Sequence, residues 1–392
     1  MSQLKVNTIR HTGASSDAIT LAADGTAAIG ECTAKITNNL SNRRININGD
    51  MRIAQRSTST STDDGVHTVD RMVCNRSGGT CQQERNALSS SDTGPWEKGF
   101  KYSFKLTNTS ASSSEGAYRE IQYRIEGQDV NAWIHTSASS YITVSFWAKS
   151  SVAGTYYIWL RSKGGTNKVY IHSYTLAANT WKKVSFTTPG DSNVTINNDN
   201  TAGLNINIAV DWGTNYTDAG TSTGSWASFV SGTRLPNFAQ DWTGTANATF
   251  EVTGLQVEAG DVATDFEHRT YGDELARCQR YCFNLITPNC GQYATLAIGT
   301  YYNSSSVYSR IAFPVTMRSK PTLLTSDLTD GYNVYSSGSV DFINNWVLGA
   351  NQSGSNGAQI WNGDDASGTG GEACMIRRGS SSTDYFVFDA EL

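Results

Sequence analysis

Short stretches in which apolar and polar residues alternate recur through most of this chain, and Gly, Asn, Ser and Thr break them before any grows long. Tyr102-Ser-Phe-Lys-Leu106, Tyr141-Ile-Thr-Val-Ser-Phe-Trp147, Tyr156-Tyr-Ile-Trp-Leu160, Lys168-Val-Tyr-Ile-His172, Trp181-Lys-Lys-Val-Ser-Phe186, Leu204-Asn-Ile-Asn-Ile-Ala-Val210 and Thr249-Phe-Glu-Val252 all follow this pattern. A period of two is that of a strand with one face buried. Regular spacing by polar turns points to an all-β fold, an antiparallel β-sandwich, and eight or so strands suit a jelly roll. Tyr118 to Val130 alternates as well as it repeats helically, and it is read as a strand.

Composition agrees. Charged residues are 17% of 392, and glycines number 36, a balance that suits a turn-rich β protein. The net charge of -5 leaves no electrostatic footprint for nucleic acid or an anionic membrane. No apolar run approaches the roughly 20 residues of a membrane helix, so no membrane insertion is expected. The start, MSQLKVNTIRHTG, lacks the apolar core of a signal peptide, which makes a cytoplasmic site of synthesis the default. Seven cysteines at irregular spacing do not form a disulfide framework; free, mostly buried thiols are expected.

Four regions follow. Residues 1–45 carry short apolar pieces around Asp24-Gly25, a strong hairpin signal. So thin a segment cannot bury a core alone: it is either a frayed tail or a β structure wound from three copies. Residues 46–270 hold the main sandwich, closed by Phe250-Glu-Val-Thr-Gly-Leu-Gln-Val-Glu258, a strand bulged at Gly254. Residues 271–283 read as a linker helix, from about Gly272 to Cys282, with Leu275, Cys278 and Cys282 on one face as a candidate oligomer interface. Residues 284–392 form a smaller C-terminal β-sandwich, in which Pro314 and Pro321 belong at strand ends.

Ile47-Asn-Gly-Asp50, Arg52-Ile-Ala-Gln-Arg-Ser57 and Val69-Asp-Arg71 together resemble the opening of a module found in bacteriophage tail fibres and related virion proteins. Val144-Ser-Phe-Trp-Ala-Lys149, Asn179-Thr-Trp-Lys-Lys-Val-Ser-Phe186 and Gly254-Leu-Gln-Val-Glu258 are similar to its later strands. Ile311-Ala-Phe-Pro-Val-Thr-Met-Arg-Ser-Lys-Pro-Thr322 resembles a stretch of C-terminal fibre domains. Met72 departs from the pattern, which has an aromatic after Asp-Arg. The resemblance implies a sandwich like that of non-catalytic carbohydrate-binding modules, and a homotrimeric virion tail fibre made in the host bacterial cytoplasm. It also implies attachment to tail or virion proteins through the N-terminal segment, and a distal end that meets host-surface polysaccharide.

The chemistry of catalysis is missing from the sequence. Five histidines lie far apart, no metal-spaced Cys or His pattern occurs, and there is neither a G-x-S-x-G nor a phosphate-binding loop. No enzyme activity, cofactor or metal is expected. Asp63-Asp64 and Asp364-Asp365 are adjacent acids in loops, read as solvated, with a calcium site the next reading. Glycoside hydrolysis would need two carboxylates converging on one cleft.

Aromatic residues are more telling: ten Trp and 18 Tyr. Trp147, Trp159 and Trp181 stand within apolar alternation and are expected in the core. Trp212, Tyr216, Trp226 and Trp242 stand in Asp- and Gly-bearing loops, where they either form a platform for sugar rings or plug a sandwich end or an intersubunit seam. Trp346, Trp361, Tyr332 and Asp364 pose the same question in the C-terminal domain. The resemblance implies a glycan-binding phage tail fibre as the expected function; a head- or collar-attached fibre without a ligand and a polysaccharide-degrading spike are the alternatives.

Overall fold

The computed structural model describes residues 8–9, 19–21, 27–29, 42–56, 59–60, 68–286, 290–325, 331–363, 365–379 and 385–392. They fall into two compact units, Met1–Ser41 and Asn42–Leu392. In the first, strands Thr8–Ile9, Ile19–Leu21 and Ala27–Ile29 form a small antiparallel sheet, with Thr20 opposite both Thr8 and Ala28. The pairing of Ile19–Leu21 with Ala27–Ile29 is that of the hairpin expected around Asp24-Gly25, which themselves lie outside the described residues.

The second unit begins with the sandwich, two antiparallel six-stranded sheets. One runs Trp226–Ser228, Lys168–Leu176, Gly154–Ser162, Ala202–Trp212, Tyr118–Glu126, Met72–Ser77 from edge to edge. The other runs Lys182–Pro189, Tyr141–Ser150, Thr249–Ala259, Tyr102–Ser110, Thr80–Ala87, Ser59–Thr60. Alternation builds the core directly: Ile142, Val144, Phe146 and Ala148 of one strand are fully buried, facing Ile121, Ile158, Leu204 and Ile206 of the other sheet in one apolar cluster. Each such large side chain contributes about 1.5 to 3 kcal/mol by leaving water. Thr249–Ala259 is the last sandwich strand in the chain yet sits inside its sheet. Its register slips between Thr253 and Gln256, as the sequence predicts for a bulge at Gly254. Gly254 has φ +66, and a Cβ there would come 2.7 Å from the Phe100 ring, so glycine alone fits.

The C-terminal part is a second antiparallel two-sheet structure. Seven strands run Ser339–Ile343, Tyr332–Ser336, Ala373–Arg378, Thr295–Asn303, Ser306–Ala312, Gly357–Asn362, Val347–Leu348. A three-stranded sheet, Cys282–Asn284, Phe386–Asp389, Thr322–Thr325, supplies Phe386 and Phe388 to the same core as Val307, Val334, Ile360 and Ile376. Pro321 falls just before a strand and Pro314 just after one. The all-β class and the two sandwiches are as the sequence predicts.

The helix departs from expectation. It spans Tyr271–Gln279, capped by Thr270, whose hydroxyl accepts from the Asp273 amide at 3.2 Å. Cys282 is not on it: the chain extends there to pair Cys282 with Asp389 in the C-terminal sheet. Tyr281 turns to donate its hydroxyl to Glu126 of the sandwich, which also accepts two bonds from Arg280 at 2.9 and 2.8 Å. Cys278 and Cys282 are fully buried within the single chain, and burial pushes both thiols well up. Cys278 packs with Ile47, Ile53 and Tyr281, and Leu275 and Leu392 lie against them. Leu275 and Cys278 thus form a joint between the sandwich, the helix and the chain's end.

Candidate functional site

Trp159 is buried, as the sequence predicts, while Trp147 and Trp181 depart from expectation and the loop tryptophans mostly take the plugging alternative. Trp242 is fully buried in the sandwich core with its Nε1 donating to Thr249 O at 3.2 Å, and Trp346 and Tyr332 are buried in the C-terminal core. Trp212 is buried too. Its ring stacks on Tyr118 at 4.4 Å, meets Tyr216 edge-on at 5.2 Å, and lies 4.9 Å from the Arg234 guanidinium. The cause is the segment 213–241, which folds back over the outer face of the first sheet. Its Phe229, Leu235 and Phe238 cover Tyr157, Trp159, Val169 and Ile171, and Trp212 and Phe238 line one cleft at the edge of that cover. Half-buried Trp226 spends its Nε1 on Pro189 O at 2.7 Å and packs beside Trp133. Of the C-terminal candidates only Trp361 is partly exposed, stacked 5.9 Å from Tyr308; Asp364 lies outside the described residues, as do Asp63 and Asp64.

Trp147 and Trp181, expected in the core, are half-buried on the outer face of the second sheet instead. The signal was parity: in Tyr141–Ser150 the inward set is Ile142, Val144, Phe146 and Ala148, so Trp147 shares the outward set with Ser145 and Lys149. Trp181 donates its Nε1 to Asp92 Oδ1 at 3.0 Å. Lys149 Nζ stands 4.8 Å from the centre of the Trp181 ring, between Asp92 at 3.0 Å and Glu251 at 2.9 Å. Burial pushes the Asp92 carboxyl up, but the Trp181 and Ser89 hydrogen bonds and the Lys149 ammonium bring it below its ordinary value. The loop that supplies Asp92 lies on Trp147: Gly94, at φ +99, would put a Cβ 2.7 Å from that ring.

Beside Trp147 opens a cleft of about 190 Å³, lined by Lys98, Phe100, Ser145, Trp147, Lys183, Gly254, Asp265, Phe266 and His268. Phe100, Phe266 and His268 form a ring cluster with centroids 4.8 to 5.1 Å apart. The His268 Nε2 bonds to Lys98 O at 2.9 Å and holds the near wall. Aromatic faces beside hydroxyl, ammonium and carboxylate groups suit a small polar ring with apolar C–H faces.

Two carboxylates also share one cleft. Asp211 and Asp241 line one cleft, and the Thr243 hydroxyl bridges them, 2.9 Å from Asp211 and 3.4 Å from Asp241. Their oxygens are committed to the fold: Asp211 accepts from the Thr243 amide at 2.8 Å, and Asp241 from Gly244 N at 2.6 Å and Ser113 Oγ at 2.7 Å. Burial raises the Asp211 carboxyl. Among the described residues no three His, Cys, Asp or Glu side chains gather as a metal site.

No protein-family model matches this sequence, and no curated protein does. Solved structures with a similar arrangement include the enzymatically active domain of bacteriophage CBA120 tailspike protein 4, at 11% identity and TM-score 0.30, over 56% of this chain and 22% of that one. A family 11 carbohydrate-binding module from Clostridium thermocellum matches at 13% identity and TM-score 0.27, over 54% of this chain and 99% of the module. The N-terminal cellulose-binding domain of Cellulomonas fimi β-1,4-glucanase C matches at 11% and 0.28, over 54% of this chain and 99% of the domain. This chain thus spans about a fifth of the tailspike domain. Scores this low carry nothing about function, which must come from the molecule's own surface.

Proposed function

We propose that this chain is a non-catalytic, glycan-binding fibre protein of a bacteriophage particle, a tail fibre that presents its sandwich to a host-surface polysaccharide. The observation that carries the binding reading is the cleft walled by Trp147, Phe100, Phe266 and His268, with Ser145, Lys183 and Asp265 placed for sugar hydroxyls. The fibre reading is supported by the signature segments from Ile47 to Glu258 and from Ile311 to Thr322. The non-catalytic reading is supported by the engagement of Asp211 and Asp241 in backbone and hydroxyl hydrogen bonds.

Assembly as a homotrimer is part of the same reading. On the outer face of the seven-stranded sheet Ile298 and Tyr302 are 66% and 74% exposed, and Val340, Phe342 and Val347 are exposed with them. An apolar sheet face of this extent is an ordinary subunit contact, and three copies on one axis would raise avidity through effective concentration. The test is retention of host-envelope polysaccharide by the wild-type protein and not by Trp147→Ala. A protein that binds no envelope saccharide, together with labelling on the head of the particle, would move the chain to the ligand-free collar or head fibre.

A further inference from the structure

On the other side of the segment Lys98 to Tyr102 from the Trp147 cleft lies a larger one, about 500 Å³, lined by Asp50, Arg52, Arg85, Gly99, Lys101, Tyr102 and Tyr271. Its charge runs against that of the molecule. The whole chain is at -5, yet this cleft gathers three cations around one carboxylate. Asp50 pairs through its Oδ2 with Arg52, whose Nη1 also donates to Arg269 O at 3.0 Å, and its Oδ1 is buried without a hydrogen-bond partner. Arg85 and Lys101 are left without an acidic partner among the described residues. Arg85 donates one Nη1 bond to Arg52 O at 2.7 Å and lies over the Tyr102 ring at 4.5 Å, while its Nε is buried without a hydrogen-bond partner. Lys101 is exposed, its Nζ held 3.2 Å from the centre of the Trp96 ring. Tyr271, the first residue of the helix, lines the same cleft and is 59% exposed.

An unneutralised guanidinium and ammonium flanked by two phenol rings satisfy an anion that is itself attached to a ring with C–H faces. The guanidinium fork and the ammonium match a carboxylate, and the tyrosines match the pyranose plane. We propose that this cleft binds the acidic sugar of a polysaccharide, a uronate residue, whose carboxylate is held by Arg85 and Lys101 and whose ring lies against Tyr102 and Tyr271. The inference rests on the glycan-binding reading and adds the chemical class of the glycan. The two clefts, separated by five residues of chain, then act as neighbouring subsites on one strand of saccharide.

The test is calorimetric titration of the full chain with polygalacturonate and with the same polymer after reduction of its carboxyl groups to alcohols. The expected result is about tenfold tighter binding of the acidic form in low salt, the worth of one charge-assisted contact, with the preference shrinking in high salt. Lys101→Gln, at an exposed position, should remove that preference without changing Tm, and Tyr271→Ala, also exposed, should weaken binding of both forms through the lost ring contact. Arg85→Lys tests the fork, since it keeps the charge and loses the bidentate geometry. Equal binding of the two polymers, or a preference that survives Lys101→Gln, overturns the uronate site and leaves the glycan-binding reading standing. Binding of neither polymer, with envelope polysaccharide also refused, overturns both. Displacement of polygalacturonate by inorganic phosphate but not by galacturonate monomer would make the anion a phosphate and overturn the carboxylate assignment.

Discussion

Arg71 and Glu391 form an ion pair across 320 residues of chain, with side chains only 2% and 6% exposed. Arg71 sits at φ +74, its guanidinium 3.5 Å from the centre of the Tyr281 ring, and also donates to Arg124 O. Arg318 clamps the same terminus, donating to Ala390 O at 2.7 Å and Glu391 O at 3.0 Å, and reaches Asn200 O of the sandwich at 3.0 Å. The Asp-Arg and Met-Arg segments that carry the resemblance to fibre proteins are therefore the fastening between the sandwich and the C-terminal domain. Removing one member of a buried pair leaves the other charge unpaired, at a cost of about 3 to 5 kcal/mol. Glu391→Gln should lower the denaturation midpoint accordingly, and a midpoint within error of wild type would show that the terminus is not a fastening.

Glu120 gives the sandwich a pH dependence. It is buried beneath the first sheet's cover, and burial pushes its carboxyl up to about 7 against the downward pull of Trp159 and Asn75 hydrogen bonds and the Arg234 and Arg161 charges. Because the folded protein keeps a proton there that the unfolded chain loses near 4.5, stability falls as pH rises from about 4.5 to about 7. Glu120→Gln, which preserves an acceptor for Trp159 Nε1, should stabilise the protein at pH 8 by about 1 to 3 kcal/mol and leave it unchanged at pH 4. Parallel stability curves for the two proteins across that range would disprove the assignment.

Tryptophan substitutions should separate into two groups. Trp147→Ala and Trp181→Ala, at half-buried outward positions, should cost little Tm, and Trp147→Ala, which opens the wall of the cleft, should reduce saccharide binding. Trp212→Ala and Trp242→Ala remove fully packed rings and should cost about 3 to 5 kcal/mol. Melting curves and saccharide titrations on the four variants decide it. Binding lost in Trp212→Ala at unchanged Tm would restore the loop tryptophans as the platform.

Assembly offers a fourth test. Ile298→Asp and Tyr302→Glu should dissociate the proposed homotrimer to folded monomers in sedimentation equilibrium. Cys278→Asp should unfold the chain, since Cys278 lies in the joint with Ile47, Ile53 and Tyr281. A wild-type monomer would remove the trimer from the proposed function.

Much of the fold is legible in the sequence because β structure writes its period into neighbouring residues. The alternation of Tyr141 to Trp147, the bulge at Gly254 and the prolines at strand ends all appear where local chemistry requires them. The helix was legible at its start, where Thr270 and Asp273 cap it. Its end was not, because nothing near Cys282 announces that Asp389, more than a hundred residues on, will draw it into a sheet.

The candidate site was the less legible part. From the sequence alone it followed that Trp147 lies in a strand and Trp212 in the loop after one. Which of them reaches solvent was decided by how the chain folds back: 213–241 folds over the first sheet, and the second sheet keeps Trp147 and Trp181 at its surface. A period of two assigns residues to alternate faces, but it carries no information about what covers a face. That depends on the tertiary path of the loops, and so do the meeting of Arg71 with Glu391 and the convergence of Arg85, Lys101 and Tyr271 on one cleft.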